Sequence, residues 1–247
     1  MKVALFVTCL TDSFYPRVGE AVVRVLRHFG CKVEFPTEQT CCGQPAFNSG
    51  FHDQAAAVAR RMLRVFEPYE TVVTPSASCA GMVKHHFAEL LGDDAQERAA
   101  AERLAARTHE FATFVTNKLG VEIGKHLEFA EPITFHYPCR ARGIYSLEEL
   151  SSWLAGADAV DLRTPRQAEL CCGFGGGFAV EYPEISGAML GDKLDELVST
   201  GAKLVICNEG GCALNMSGGA HRRGIPLRFK HLAECLAESL GLMEPEA

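Results

Sequence analysis

The sequence predicts an α/β protein of two pseudo-repeated, Rossmann-like halves, each a small parallel sheet flanked by helices, with cysteines at the carboxyl ends of the strands. Two observations carry this expectation. Under a shift of 130 residues Cys9, Cys41 and Cys42 recur as Cys139, Cys171 and Cys172, and Cys79 recurs as Cys212 with a slip of three. Around both sets, short apolar runs alternate with segments of helical spacing in the same order. The halves are expected at 1–120, including a linking helix, and at 121–247.

In the first half, an apolar run at 3–7 reads as a strand that ends near Cys9. A helix over 17–29, a strand over 32–35 and Pro36 lead to the doublet in TCCGQP at 40–45. A helix over 54–66 and a strand over 71–74 then deliver Cys79 and a further helix. The Ala-rich stretch 95–119 reads as one long helix joining the halves. The second half repeats the order: strand 133–135 before Cys139, helix 147–154, strand 160–162, Pro165, and LCCGFG at 170–175. Helix 184–198 and strand 203–206 then lead to Cys212. Strands joined by helical crossovers pair in parallel, and their carboxyl ends bring several loops to one crevice. All eight repeated cysteines are expected in such loops.

Composition narrows the chemistry. The 247 residues carry a net charge of −7, which argues against nucleic acid or an anionic membrane as partner. No apolar run reaches the length of a membrane span, and the start reads as a strand instead of a leader, so a cytoplasmic protein is expected. Eleven cysteines are many for such a chain. A disulfide framework suits small secreted domains, and burial as small hydrophobes accounts for one or two thiols, so metal or redox chemistry remains.

Soft thiolates select iron–sulfur clusters, zinc or copper(I). Adjacent cysteines sit more readily on separate irons of a cluster than on one zinc ion, although spacing alone leaves zinc open in either half. The candidate ligands are Cys9, Cys41, Cys42 and Cys79 in one set and Cys139, Cys171, Cys172 and Cys212 in the other. A glycine after each doublet allows a close backbone approach or a positive φ.

The doubled arrangement of Cys, CCG and Cys resembles the cysteine-rich CCG family, which includes heterodisulfide reductase subunits and the iron–sulfur subunit of glycolate oxidase. The segments KVALFVTCLTDSFYPRVGEA at 2–21, CCGQPAFNSGF at 41–51, SASCAGM at 76–82 and CCGFGGGFAV at 171–180 are similar to its lactate-utilization branch, and the likeness runs from end to end. The resemblance implies an iron–sulfur subunit of an oxidoreductase complex that converts L-lactate to pyruvate, with one or two 4Fe-4S clusters per chain. It also implies two partners: a ferredoxin-type, B-like subunit and a third, C-like subunit of a lactate utilization system. Glycolate- or heterodisulfide-type electron transfer, a zinc-stabilised interaction module and a thiol–disulfide oxidoreductase are the alternatives. Heterodisulfide reductase-type copies carry a fifth cysteine where this chain has Met82 and Asn215, so four-cysteine sites are expected.

Other residues compete with blander roles. Cys31 and Cys235 read as core; Cys207 is weighed as an alternative ligand, against which its first-half counterpart Thr74 argues. His136 is weighed as a ligand or cluster-tuning group against a local hydrogen bond, His85 and His86 read as solvated, and His231 could approach the second set, which the sequence alone does not decide. The run GFGGG at 173–177 is no Rossmann fingerprint, because Phe178 stands where a third glycine is required. Arg140, Arg142, Arg222 and Arg223 could attract a small carboxylate substrate or an acidic partner, against the reading as solvated loops.

Overall fold

The computed structural model describes residues 1–155 and 160–245. Strands β1 (Lys2–Leu5), β2 (Lys32–Glu34), β3 (Val72–Thr74) and β4 (Thr108–Glu110) form one parallel sheet in the order β2-β1-β3-β4. Strands β5 (Ile133–His136), β6 (Leu204–Cys207) and β7 (Arg228–Lys230) form a second parallel sheet in the order β5-β6-β7. Leu162 adds an isolated parallel bridge to Ile133, taking beside β5 the place that β2 has beside β1.

Strand alternation decides which side chains meet which layer. Val3 and Leu5 of β1, Ile133 and Phe135 of β5, and Leu204 and Ile206 of β6 enter one central core common to both halves. The helices Pro16–His28, Phe111–Asn117 and Leu232–Ser239 fill that core. The opposite faces build two outer cores. Ala4, Phe6 and Val72 meet the helix His52–Phe66 together with Cys42 and Cys79. Val205 and Cys207 meet the helix Pro183–Ser199 together with Cys172 and Cys212. The final helix, Leu232–Ser239, lies on Pro16–His28 at the other end of the chain, where Arg17 reaches Glu238 at 3.2 Å and Arg24 reaches the Leu242 carbonyl at 2.6 Å.

Three expectations need correction. The stretch 95–119 is not one helix: Ala95–Arg107 ends, β4 follows, and Phe111–Asn117 begins. β-Branched Thr108 turns the chain, its hydroxyl donating to the Leu104 carbonyl at 2.8 Å, and Glu110 caps the next helix. The expected strand 160–162 is reduced to the bridge at Leu162, although Ile133 and its neighbours still exchange backbone bonds with Asp161 and Arg163 at 3.0 and 2.8 Å. Finally, not all eight cysteines lie in loops. Cys9 begins the helix Cys9–Phe14, Cys79 lies in Ala77–Gly81, Cys212 in Gly210–Arg222, and Cys139 opens a 3-10 turn. They sit at strand ends as expected, where the first turn of a crossover helix follows directly.

Glu110 makes the fold pH-sensitive. Its carboxylate is fully buried and accepts the Thr113 N–H at 3.0 Å, but burial dominates and pushes the carboxyl up to about 7. A carboxyl raised in the folded state contributes stability that is complete below its unfolded value and lost as pH rises through about 7. Glu110→Gln should therefore flatten the fall in stability between about pH 5 and about pH 8 by about 3 kcal/mol. Urea unfolding at the two pH values checks this; parallel pH profiles for variant and parent would contradict it.

Candidate metal centres

Within each half the four repeated cysteines meet as two thiol pairs, joined by the doublet. Cys9 Sγ lies 3.6 Å from Cys41 Sγ, and Cys42 Sγ lies 3.4 Å from Cys79 Sγ. In the second set, the free thiols of Cys139 and Cys171 are close enough to interact, and Cys172 Sγ lies 2.9 Å from Cys212 Sγ. Exposure repeats as well. Cys9 and Cys139 are at the surface, Cys41 and Cys171 are half-buried, and the other four are buried. Each set is thus a short ladder of sulfur from solvent into an outer core.

The glycine after each doublet has a definite task. Gly43 has φ 83° and Gly173 has φ 78°, a left-handed turn that aims each glycine N–H back at the first thiol of its doublet. Those bonds, to Cys41 Sγ and Cys171 Sγ, are both 3.4 Å. Cys41 is held below the ordinary thiol range by hydrogen bonds from Cys42 first, then Cys9, with the Gly43 N–H assisting. Cys171 is held down in the same way by Cys139, Cys172 and the Gly173 N–H. Cys9 and Cys139 are pushed up, because each lends its proton to that thiolate and is partly desolvated. One cysteine per set is therefore poised as thiolate, the form that binds metal.

The residues that replace a fifth cysteine are occupied elsewhere. Met82 is buried in the outer core of the first half. Asn215 donates through Nδ2 to the Cys172 carbonyl at 2.8 Å, and Ser186 Oγ donates to the Gly173 carbonyl at 2.8 Å, so the second doublet is clamped from two helices. The first doublet is positioned by Gln39, whose amide accepts the Val7 N–H at 3.0 Å and donates to the Leu5 carbonyl at 3.0 Å. Thr8, directly before Cys9, is the one non-glycine at positive φ (73°) among the described residues. This rarely populated backbone is held where the chain turns towards the first thiol.

The surroundings of the two sets differ. A cleft of about 250 Å³ opens on Cys139, Cys171, Cys172 and Cys212 and is closed from the first half by Leu10, Gln44 and Ser78. Glu209 lines it as well. This buried carboxylate accepts Ser76 Oγ–H at 3.0 Å and the Ser78 N–H at 2.9 Å, so a second-half side chain caps the helix that carries Cys79. Burial pushes the Glu209 carboxyl up against those bonds. Lys193 is fully buried among Cys172, Cys207 and Cys212, its ammonium donating to the Ala168 carbonyl at 3.2 Å. His136 is also buried, at the end of β5, and burial lowers it to about 3, so it is neutral. Neither of its ring nitrogens has a hydrogen-bond partner among the described residues. A buried polar atom left so costs about 1–3 kcal/mol.

The donor chemistry, the pairing and the repeat fit a thiolate-ligated metal centre in each half. A profile of the CCG cysteine-rich domain matches residues 3–84 and again 133–217, each span enclosing one complete cysteine set. The chain belongs to the CCG cysteine-rich domain family. Within it, the chain is 39% identical over 241 residues to lactate utilization protein A 2 of Bacillus cereus (strain 03BB102), covering 97% of this chain and 99% of that relative. It is 40% identical to lactate utilization protein A 1 of Bacillus anthracis (strain CDC 684 / NRRL 3495), with the same coverage. Lactate utilization protein A of Exiguobacterium sp. (strain ATCC BAA-1283 / AT1b) is 39% identical over 243 residues, covering 97% of this chain and 98% of that relative. No described helix is long and apolar enough to cross a membrane.

The remaining candidates of this CCG chain separate cleanly. Cys31 and Cys235 are buried in the central core. Cys207 is buried, its thiol 3.4 Å from the Glu209 carbonyl, and lies beside His136 in the β5–β6 register. His231 does not serve the second set: Nδ1 accepts the Ala233 N–H at 3.0 Å and Nε2 bonds the Pro75 carbonyl at 2.9 Å. His85 is exposed and His86 is half-buried. Arg142 pairs with Glu169 at 3.5 Å and Arg223 with Asp195 at 2.5 Å, whereas Arg140 lines the cleft, bonded to Asn48 at 3.1 Å. Gly175 and Gly176 of the GFGGG run have positive φ and line the cleft beside the second doublet. Sequence reasoning missed Glu209 and Lys193. Each looks like an ordinary surface charge in the sequence, and no spacing there signals its burial.

Proposed function

We propose that the chain is the iron–sulfur, electron-transferring subunit of a cytoplasmic complex that oxidises L-lactate to pyruvate. Its partners there are a ferredoxin-type subunit like lactate utilization protein B and a third like protein C. The observation that carries this reading is the repeated pair of thiol contacts, Cys9–Cys41 with Cys42–Cys79 and Cys139–Cys171 with Cys172–Cys212. The near full-length likeness to lactate utilization A proteins supports the choice of substrate.

Each half, with a boundary near residue 120, acts as one cluster-binding unit built on its four repeated cysteines. When bound, a 4Fe-4S cluster supplies one-electron steps, and two such centres suit a two-electron oxidation. The chain's own residues prepare the sites. The Gly43 and Gly173 N–H groups favour thiolate at Cys41 and Cys171, and Asn215 and Ser186 fix the second doublet. The cleft at the second set admits a small molecule, with Arg140 at its wall to attract a carboxylate.

Anaerobically purified protein is expected to be brown and to contain iron and acid-labile sulfide. Cys42→Ser should remove one centre and Cys172→Ser the other, each lowering iron by about half and leaving one paramagnetic signal. Colourless protein with stoichiometric zinc and no sulfide would make the chain a zinc-stabilised module instead. Reduction of the centres by lactate in the reconstituted three-protein system, with glycolate for comparison, tests the substrate.

A further inference from the structure

The 130-residue shift that superposes the cysteines also pairs Phe6 with His136. Both stand at the end of the first strand of their half, and both face the outer core that holds the second doublet cysteine and the last cysteine. In the first half this place is closed by carbon: Phe6 packs edge-on against Phe66, ring centroids 5.6 Å apart. In the second half it is held by an imidazole. A donor atom of His136 lies within 4.8 Å of the thiols of Cys172 and Cys212, and these two thiols are 2.9 Å apart.

We propose that His136 is a ligand of the second centre, so that the two halves hold chemically different metal sites: thiolate alone in the first, thiolate with imidazole in the second. The proposal rests on the second cysteine set binding a metal, and it holds for a cluster or for a single ion.

Three observations converge on it. A neutral imidazole always carries one N–H donor and one lone pair, yet neither nitrogen of His136 meets a partner among the described residues, although the side chain is buried. Buried polar atoms of that kind call for a specific occupant, and a metal is the one that thiols at this distance would share. The neighbouring cation Lys193 makes the same pocket favour an electron-rich centre, whereas the shift places apolar Leu63 at the matching helix position of the first half. Replacing thiolate by imidazole at iron raises the reduction potential, so the second centre becomes the better electron acceptor. It is also the one that opens on the cleft.

The test uses the full chain, purified anaerobically after labelling with 15N-histidine. Pulsed electron paramagnetic resonance on the reduced protein should show a nitrogen coupled directly to one centre, and X-ray absorption should show a mixed sulfur and nitrogen shell. Cys42→Ser, which removes the first centre, should leave the nitrogen signal intact. His136→Phe, which copies the first half, should abolish that signal and lower bound metal by about half, while the surviving first centre reports that the chain is folded. His136→Cys should restore the metal without the nitrogen. A sulfur-only shell in the unaltered protein, or an unchanged second centre in His136→Phe, overturns the proposal while leaving the iron–sulfur reading intact. Zinc with a sulfur and nitrogen shell and no sulfide has the opposite outcome: His136 ligation stands and the iron–sulfur reading falls.

Discussion

Gly173→Ala should lower stability by about 3 kcal/mol or more, while the same change at Gly43 should lower it by only about 1 kcal/mol. The two glycines follow equivalent doublets and share a left-handed turn, so the backbone strain of adding a Cβ is common to both. Their surroundings are not. A Cβ on Gly173 would lie 2.6 Å from the Ser186 carbonyl oxygen, which belongs to the first turn of the long helix Pro183–Ser199 and cannot give way alone. On Gly43 the nearest atoms, from Ala55 and Val58, are at 3.4 Å, an ordinary contact. Thermal melts should separate the variants, with Gly173→Ala losing roughly 6–12 °C and Gly43→Ala roughly 2–4 °C. Equal losses would mean that the turn, and not the helix behind it, sets the requirement.

Glu209→Ala is expected to cost about 2–4 kcal/mol and to damage the cysteine set of the other half. The carboxylate accepts two donors from the first half, Ser76 Oγ–H and the Ser78 N–H, and its removal leaves both without that acceptor in a buried place. Removing it frees the first turn of Ala77–Gly81, and Cys79 with it. Metal content should therefore fall at the first centre although the substitution lies in the second half. Glu209→Gln, which keeps an acceptor oxygen and resembles the neutral form that burial favours, should retain most of the stability. If the alanine variant binds metal normally at the first centre, Glu209 is a local residue of the cleft and not a link.

Much of this could be read in the sequence because the cysteines repeat. The shift of 130 residues, with its slip of three at the last cysteine, gives the succession of elements, the doublet positions and two sets of four cysteines without any long-range information. β4 and β7 were illegible: Thr-His-Glu and Arg-Phe-Lys are three-residue strands with little apolar alternation, formed because a neighbouring strand offers its backbone. The break at Thr108 was hidden by the helix propensity of the alanines before it, which tertiary pairing with β3 overrides. His136 was visible as a residue but ambiguous in role. Its counterpart Phe6 was the signal, since an aromatic at the repeat position implies a buried site and not a solvated strand end.

The packing of Leu232–Ser239 on Pro16–His28 has a consequence for how the protein is made. The apolar face of the early helix, with Val22, Val25 and Leu26, shares its core with Leu232 and Leu236, more than 200 positions further along the chain. At ribosomal speeds of about 5–20 residues per second, that face waits roughly ten to forty seconds for its cover. The central-core face of the nascent amino-terminal portion therefore spends that interval uncovered. Completion of the central core is thereby tied to synthesis of the whole polypeptide, whereas the buried residues of the outer core around Cys42 and Cys79 all lie between Ala4 and Leu104.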